Sequence, residues 1–224
     1  MSEVIVFAEG QSEELFIKRV VAPALKQLQI YLKPQLLHTS KDAKGGAVSF
    51  ERLKFNARNT LRQYPNAVLT TFLDLYGLET DFPKFHEAKK SSDVYSRLKV
   101  MEDAMAVAIA SHVDCRPERF IPYFQPYEFE GLLFSDVDAL IRTEPDWKNQ
   151  HAKLQKVRAD FPTPEHINDS YETKPSKRLE DILQPKYKKT RHGPLIAEQV
   201  TLAEMERECL HFKGWLDQLR SLAK

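Results

Sequence analysis

The chain has 224 residues, 42% of them hydrophobic, with 33 Lys and Arg against 32 Asp and Glu. That length and apolar content suffice for one large domain with a real core and exclude a disordered or fibrous protein. A formal charge of +1 announces neither nucleic acid nor membrane, so any basic surface has to be local.

The two cysteines, Cys115 and Cys209, have no CxxC or His-rich neighbourhood, which argues against a disulfide framework or a zinc site and for a reducing, cytoplasmic setting. The amino-terminal MSEVIVFAEG has no basic leader and its apolar run is too short for a signal peptide. No later stretch reaches the roughly 18 apolar residues of a membrane span.

Val4 to Ala8 is a continuous run of strand formers, the pattern of a parallel strand covered on both faces. It ends in Glu9 and Gly10, and an open α/β sheet gathers its ligands at such carboxyl ends. Ser12 reads as the N-cap of a helix with Glu13 and Glu14 in its first turn and Ile17, Val21, Ala24, Leu25 and Leu28 at helical spacing, kinked by Pro23. Tyr31 to Thr39 reads as a second strand weakened by Pro34. After the loop KDAKGG, a helix from about Ser49 carries Phe50, Leu53, Ala57 and Leu61 on one face.

Ala67 to Leu73 reads as a third strand, delivering Asp74 at its end as the first delivers Glu9. A long loop leads to a helix marked by Val94, Leu98, Met101, Met105 and Ile109, then to a fourth strand over Arg119 to Phe124 and the acidic QPYEFEGLLFSD with Glu128 and Glu130. The remainder is helical and loop-rich, includes the basic PKYKKTRHG, and ends in a helix with Thr201 and Glu204 as its capping box and Leu202, Met205, Cys209, Phe212, Leu216 and Leu219 on one face. The expected organisation is an α/β domain over 1–134, a mostly parallel four-stranded sheet flanked by helices, with a helical, partly basic extension over 135–224 packed on it.

If the first, third and fourth strands are neighbours, Glu9, Asp74 and one or both of Glu128 and Glu130 converge at one edge. Packed carboxylates repel, and a divalent cation with hard oxygen ligands, magnesium or manganese, removes the conflict. Each acid also has a plainer reading. Glu9 could cap the following helix, Glu13 and Glu14 could be dipole partners in its first turn, and Asp74 could form a turn ahead of Tyr76-Gly77. Glu13 lies one turn on from Glu9 and could face the same ion. Glu128 and Glu130, two apart, should divide, one toward a metal and one into a salt bridge. Lys177, Arg178, Lys186, Lys188, Lys189, Arg191 and His192 are either solvated loop charges or phosphate contacts folded over the acids.

VFAEGQSEELF resembles the first motif of Toprim domains, found in topoisomerases, primases, the ribosomal RNA maturase group and the overcoming-lysogenization-defect nucleases. VVAPAL, TTFLDLYGL, YEFEGLLFSD and ETKPSKRL, from Val4 to about Ala197, are similar to the bacterial group known as domain of unknown function 4276, often encoded near restriction or phage-defence genes and AAA-type or ABC-type ATPases. The resemblance implies a Toprim-like fold with Glu9 in the place of the family glutamate, Glu13 as the second acid of the Glu-Gly-x-x-Glu variant and Asp74 as the first aspartate of Asp-x-Asp. The second aspartate is absent, Asp74-Leu75-Tyr76 standing in its place, with Glu128, Glu130 or Asp81 as candidates to compensate.

The expected activity is therefore a magnesium- or manganese-dependent endonuclease with Glu9, Asp74 and Lys177 catalytic. Glu9, Glu13, Asp74, Glu128 and Glu130 are its candidate metal ligands, and Lys177, Arg178, Lys188, Lys189 and Arg191 its contacts to DNA or RNA. Expected partners are the nucleic acid, an AAA-type or ABC-type ATPase in phage defence and a second copy of the chain, with no membrane. The alternative is a degenerate Toprim-like adaptor that binds an ATPase or nucleic acid. A nucleotide cradle at Gly10 is disfavoured by the missing GxGxxG or GK[ST] and by Glu13 and Glu14.

Overall fold

The structure, a computed structural model, describes residues 1–37, 47–168 and 170–223. Strands β1 (Ser2–Ala8), β2 (Ile30–Leu36), β3 (Val68–Asp74), β4 (Phe120–Ile121) and β5 (Phe124–Gln125) form one sheet in the order β2-β1-β3-β4, with β5 pairing β3 beyond β4. Every pairing is parallel, as the two-sided apolar runs of β1 and β3 require. Pro34 is accommodated because β2 pairs only with β1, and an edge strand can do without one ladder donor. Thr39 and the KDAKGG loop lie outside the described residues.

The chain runs from β1 outward to β2 and later returns to the other side of β1 as β3, so the strand order reverses between β1 and β3. Clefts at such a switch point open at the carboxyl ends of the strands. The register puts Ala8 beside Phe72, so Glu9 and Asp74 leave the sheet side by side at that cleft.

Helices α1 (Gln11–Phe16), α2 (Ala22–Lys26), α3 (Phe50–Gln63), α4 (Phe85–Ala88) and α5 (Val94–Val113) follow the first three strands, and α6 (Val137–Arg142), α7 (His151–Ala159), α8 (Pro175–Ile182), α9 (Lys189–Val200), α10 (Leu202–Glu208) and α11 (Leu210–Arg220) make the carboxyl-terminal half. Ile5, Phe7, Leu69 and Leu73 pack beneath α3 and α5 on one face. On the other face Val4, Val6 and Phe72 share a single cluster with Phe16, Phe129, Trp147, Phe212 and Trp215. Residues from 135 onward thus complete the core of the sheet itself. No helix among the described residues is long and apolar enough to cross a membrane.

Several local expectations are corrected. The first helix is capped by Gly10 rather than Ser12, which lies buried in its first turn. Pro23 produces a π-helical turn over Ile17–Val21, with the Ala22 N–H reaching back to the Ile17 carbonyl, instead of a simple kink; proline supplies no N–H to the α ladder, and the register slips ahead of it. The fourth strand is split into β4 and β5 at Pro122 and Tyr123, where the Thr71 hydroxyl donates to the Tyr123 carbonyl and accepts its N–H. The last helix breaks at Cys209 into α10 and α11. Buried Glu165 accepts the N–H groups of His211 and Phe212 at 3.0 and 2.9 Å and so caps α11 from a distant loop.

Candidate functional site

The apolar β1 and β3 can end in acids because their carboxyl ends open onto the cleft. Glu9 follows β1, Glu13 lies in the first turn of α1, Asp74 closes β3, and Glu130 belongs to a 3-10 segment, Phe129–Ser135, that passes over the same edge. At the centre stands Lys189, the first residue of α9. Its Nζ lies 3.3 Å from Glu13 Oε1, 3.5 Å from Asp74 Oδ2 and 3.4 Å from Glu130 Oε2.

The cup is held by further bonds. Asp74 Oδ1 accepts the Phe129 N–H at 2.8 Å, which ties the 3-10 segment to the end of β3. The Tyr187 hydroxyl donates to Glu130 Oε1 at 3.1 Å. A Cβ at Gly77 would overlap the Glu9 carboxylate, and one at Gly10 would approach Glu13 Oε2 to 2.9 Å, so both glycines keep the acids' oxygens where they are. Glu9 Oε2 is buried and has no hydrogen-bond donor among the described residues.

Burial of Glu9, reinforced by Glu13, pushes its pKa up to about 7 against the pull of Lys189. Burial does the same to Glu130, again to about 7 and again opposed by Lys189, and it raises Asp74 well above the ordinary carboxylate range. Lys189 feels the reverse: burial lowers it, but the carboxylates of Glu130, Asp74 and Glu13 outweigh burial and hold the ammonium charged. Four carboxylates therefore share one ammonium, and two of them ionise only near neutral pH.

The other expected site residues fall elsewhere. Glu128 accepts Lys174 Nζ at 2.8 Å and the Ser176 N–H at 2.9 Å, so it is neutralised beside the cup and does not face Lys189. Asp81 caps α3 by accepting the Phe50 N–H at 2.9 Å. Glu14 pairs with Lys18. Lys177 pairs with Asp181 one turn on, at 2.8 Å, and makes no contact with the acids, because α8 turns that face outward. Arg178 donates to the Thr173 carbonyl and lies over the Phe161 ring. Arg191 pairs with Glu144, and Lys188 is exposed just before Lys189.

The residues that sequence reading did not place at the cup are Tyr187, Lys174 and Gly77, and it had Lys189 as a solvated charge or a phosphate contact rather than as the partner of the acids. The alternation of Tyr187 and Lys189 held the signal: residues two apart in an extended segment point the same way, and Lys189 is preceded by extended backbone at Lys188.

An all-oxygen donor set suits magnesium or manganese and not zinc, and the undonated Glu9 Oε2 is the kind of atom such an ion would engage. The carboxylates nevertheless surround the ammonium. Among the described residues no group of three or more His, Cys, Asp or Glu is arranged to hold a metal, so an ion would enter only as Lys189 withdraws.

No curated protein and no solved structure matches the chain. The family model described as Domain of unknown function (DUF4276) matches residues 8–220, and the chain belongs to that family.

Proposed function

We propose that the cup is a divalent-cation site for phosphodiester cleavage of DNA or RNA, in a Toprim-like arrangement related to the overcoming-lysogenization-defect nucleases. The observation that supports it most is the excess of acid: three carboxylates at the switch point of the sheet contact one ammonium, a fourth, Glu9, lies within its field, and Glu9 Oε2 is buried with neither a donor nor an ion pair among the described residues. Glu9, Glu13, Asp74 and Glu130 would hold magnesium or manganese, which when bound neutralises charge on a phosphate oxygen and acidifies water. Lys189, displaced toward the mouth, would hold the scissile phosphate, the part the sequence reading gave to Lys177. Tyr187 and the Phe129 N–H fix Glu130 and Asp74 so that their free oxygens face inward. The setting we propose is phage defence beside an AAA-type or ABC-type ATPase.

Manganese titrated calorimetrically into the protein, with plasmid, single-stranded DNA and transfer RNA as substrates and the ATPase present, tests this reading. Heat that disappears in Asp74→Asn, with cleavage lost in the same variant, is the expected result. Absence of both heat and cleavage in the wild type sinks it.

The contacts of Lys189 to three acids favour a second reading, a self-neutralised cluster in an adaptor that binds an ATPase or nucleic acid. Lys189→Met separates the two. A metal site should bind manganese at least as tightly without its competing ammonium while cleavage falls, whereas a closed structural cluster should lose stability and bind no ion.

A further inference from the structure

We propose that tyrosines on the rim of the cup stack on the bases of a single-stranded nucleic acid, so that the protein takes single strands in preference to duplex; this rests on the reading of the cup as a phosphodiester site. Exposed aromatic rings are few among the described residues: Tyr31, Phe55, Tyr76 and Tyr171. Two of the four stand beside the acids. Tyr76 lies between Asp74 and Gly77, the residue whose backbone abuts Glu9. Its N–H donates to the Tyr127 carbonyl at 3.1 Å, and its ring is 5.6 Å from that of Tyr127, which directly precedes Glu128. Tyr171 is 69% exposed, and its ring lies 4.3 Å from Lys174 Nζ, the ammonium that neutralises Glu128.

These rings are held in place. The Tyr76 hydroxyl donates to Asn168 Oδ1 at 2.7 Å, and Tyr171 opens a 3-10 turn fixed by the Ser170–Thr173 capping box. An aromatic ring held by its own chain on one side and open to solvent on the other offers that second face as a platform for another flat ring. In a duplex the faces of the bases are covered by their neighbours, and only an unpaired strand can offer them. Lys188, exposed before Lys189, can meet the phosphates, while exposed Glu172 beside Tyr171 opposes them. Binding should therefore depend on stacking more than on charge and show a shallow salt slope.

The test is fluorescence anisotropy in EDTA with labelled oligothymidylate and oligouridylate about a dozen nucleotides long and a blunt duplex of the same length. Single strands should bind at least about tenfold tighter than duplex, and the tighter of the deoxy and ribo arms names the substrate. Tyr171→Ala should lose roughly five- to a hundredfold of single-strand affinity, as expected for one stacked base, while Tyr171→Phe keeps it and Phe55→Ala, on the helix covering the other face of the sheet, changes nothing. Equal affinity for duplex, an unaltered Tyr171→Ala variant, or no binding to any strand would overturn the inference. Manganese titration of the same protein variants, freed of EDTA, reads the cup separately. Ion binding without strand preference removes this inference alone, and strand preference without ion binding removes the metal reading and leaves the aromatic platform standing.

Discussion

Glu130 should make the folded protein lose stability as pH rises, and Glu130→Gln should remove its own share of that loss. The carboxyl is fully buried, and burial, opposed by Lys189, moves its pKa from 4.5 up to about 7. An acid raised in this way keeps its proton in the native state at a pH where the unfolded chain has released it. Its contribution is most favourable near pH 5 and is lost as pH climbs through 7. Between pH 5 and pH 8 this one group accounts for about 2.5 kcal/mol, or roughly 1 M in urea midpoint at a slope of about 2–3 kcal/mol/M. Glu9 and Asp74, both raised, add in the same direction. Urea unfolding followed by tryptophan fluorescence in EDTA, at steps from pH 5 to pH 8, reads the effect. The glutamine keeps an oxygen for the Tyr187 hydroxyl, so the variant should unfold with a visibly flatter pH dependence. A wild-type midpoint that stays level or rises over that range would mean that Lys189 satisfies the cluster outright, and the charge argument would be refuted.

Manganese should raise the wild-type midpoint more at pH 8 than at pH 5, since an ion competes with protons for the same oxygens; equal effects at both would place the ion elsewhere. Gly77→Ala drives a methyl group into the Glu9 carboxylate and should weaken manganese binding at least about tenfold with the far-ultraviolet circular dichroism unchanged. Gly214→Ala, where a Cβ meets nothing within 4 Å, is the matched control, and equal behaviour of the two would clear Gly77 of any part in the site. Glu165→Ala strips the start of α11 of its two accepted N–H bonds and leaves the Tyr95 hydroxyl without its 2.7 Å acceptor. A loss of about 3 kcal/mol, or roughly 6–12 °C in Tm, is expected by scanning calorimetry, and a shift under about 2 °C would contradict it.

The strand-end acids were legible because each follows an uninterrupted apolar run. Such a run identifies a strand buried on both faces, and parallel strands present their carboxyl ends at one edge. Membership of the family was legible in the same motifs. Which basic residue reaches the acids was not, because Lys177 and Lys189 stand in similar loop-like, lysine-rich stretches and only the docking of α9 against α1 selects between them. The break at Cys209 was equally hidden: helical spacing continues through it, and its cause, Glu165, is far away in sequence. The split of the fourth strand was within reach, since Pro122 interrupts the run and cannot donate to a ladder.

Trp215 of α11 donates its indole N–H to Thr70 Oγ1 in the middle of β3, at 2.9 Å, and the Trp215 and Phe212 rings pack on Phe72. One wall of the sheet is therefore finished by a residue 145 positions further along the chain than the strand it covers. Until α11 docks, Phe16, Phe72 and Tyr123 lack part of their cover, and the half-made chain presents a greasy surface to its surroundings. Such long-range closure slows folding and exposes the intermediate to aggregation, so removing α11 should cost the cell soluble protein before it costs the acid cup any of its residues.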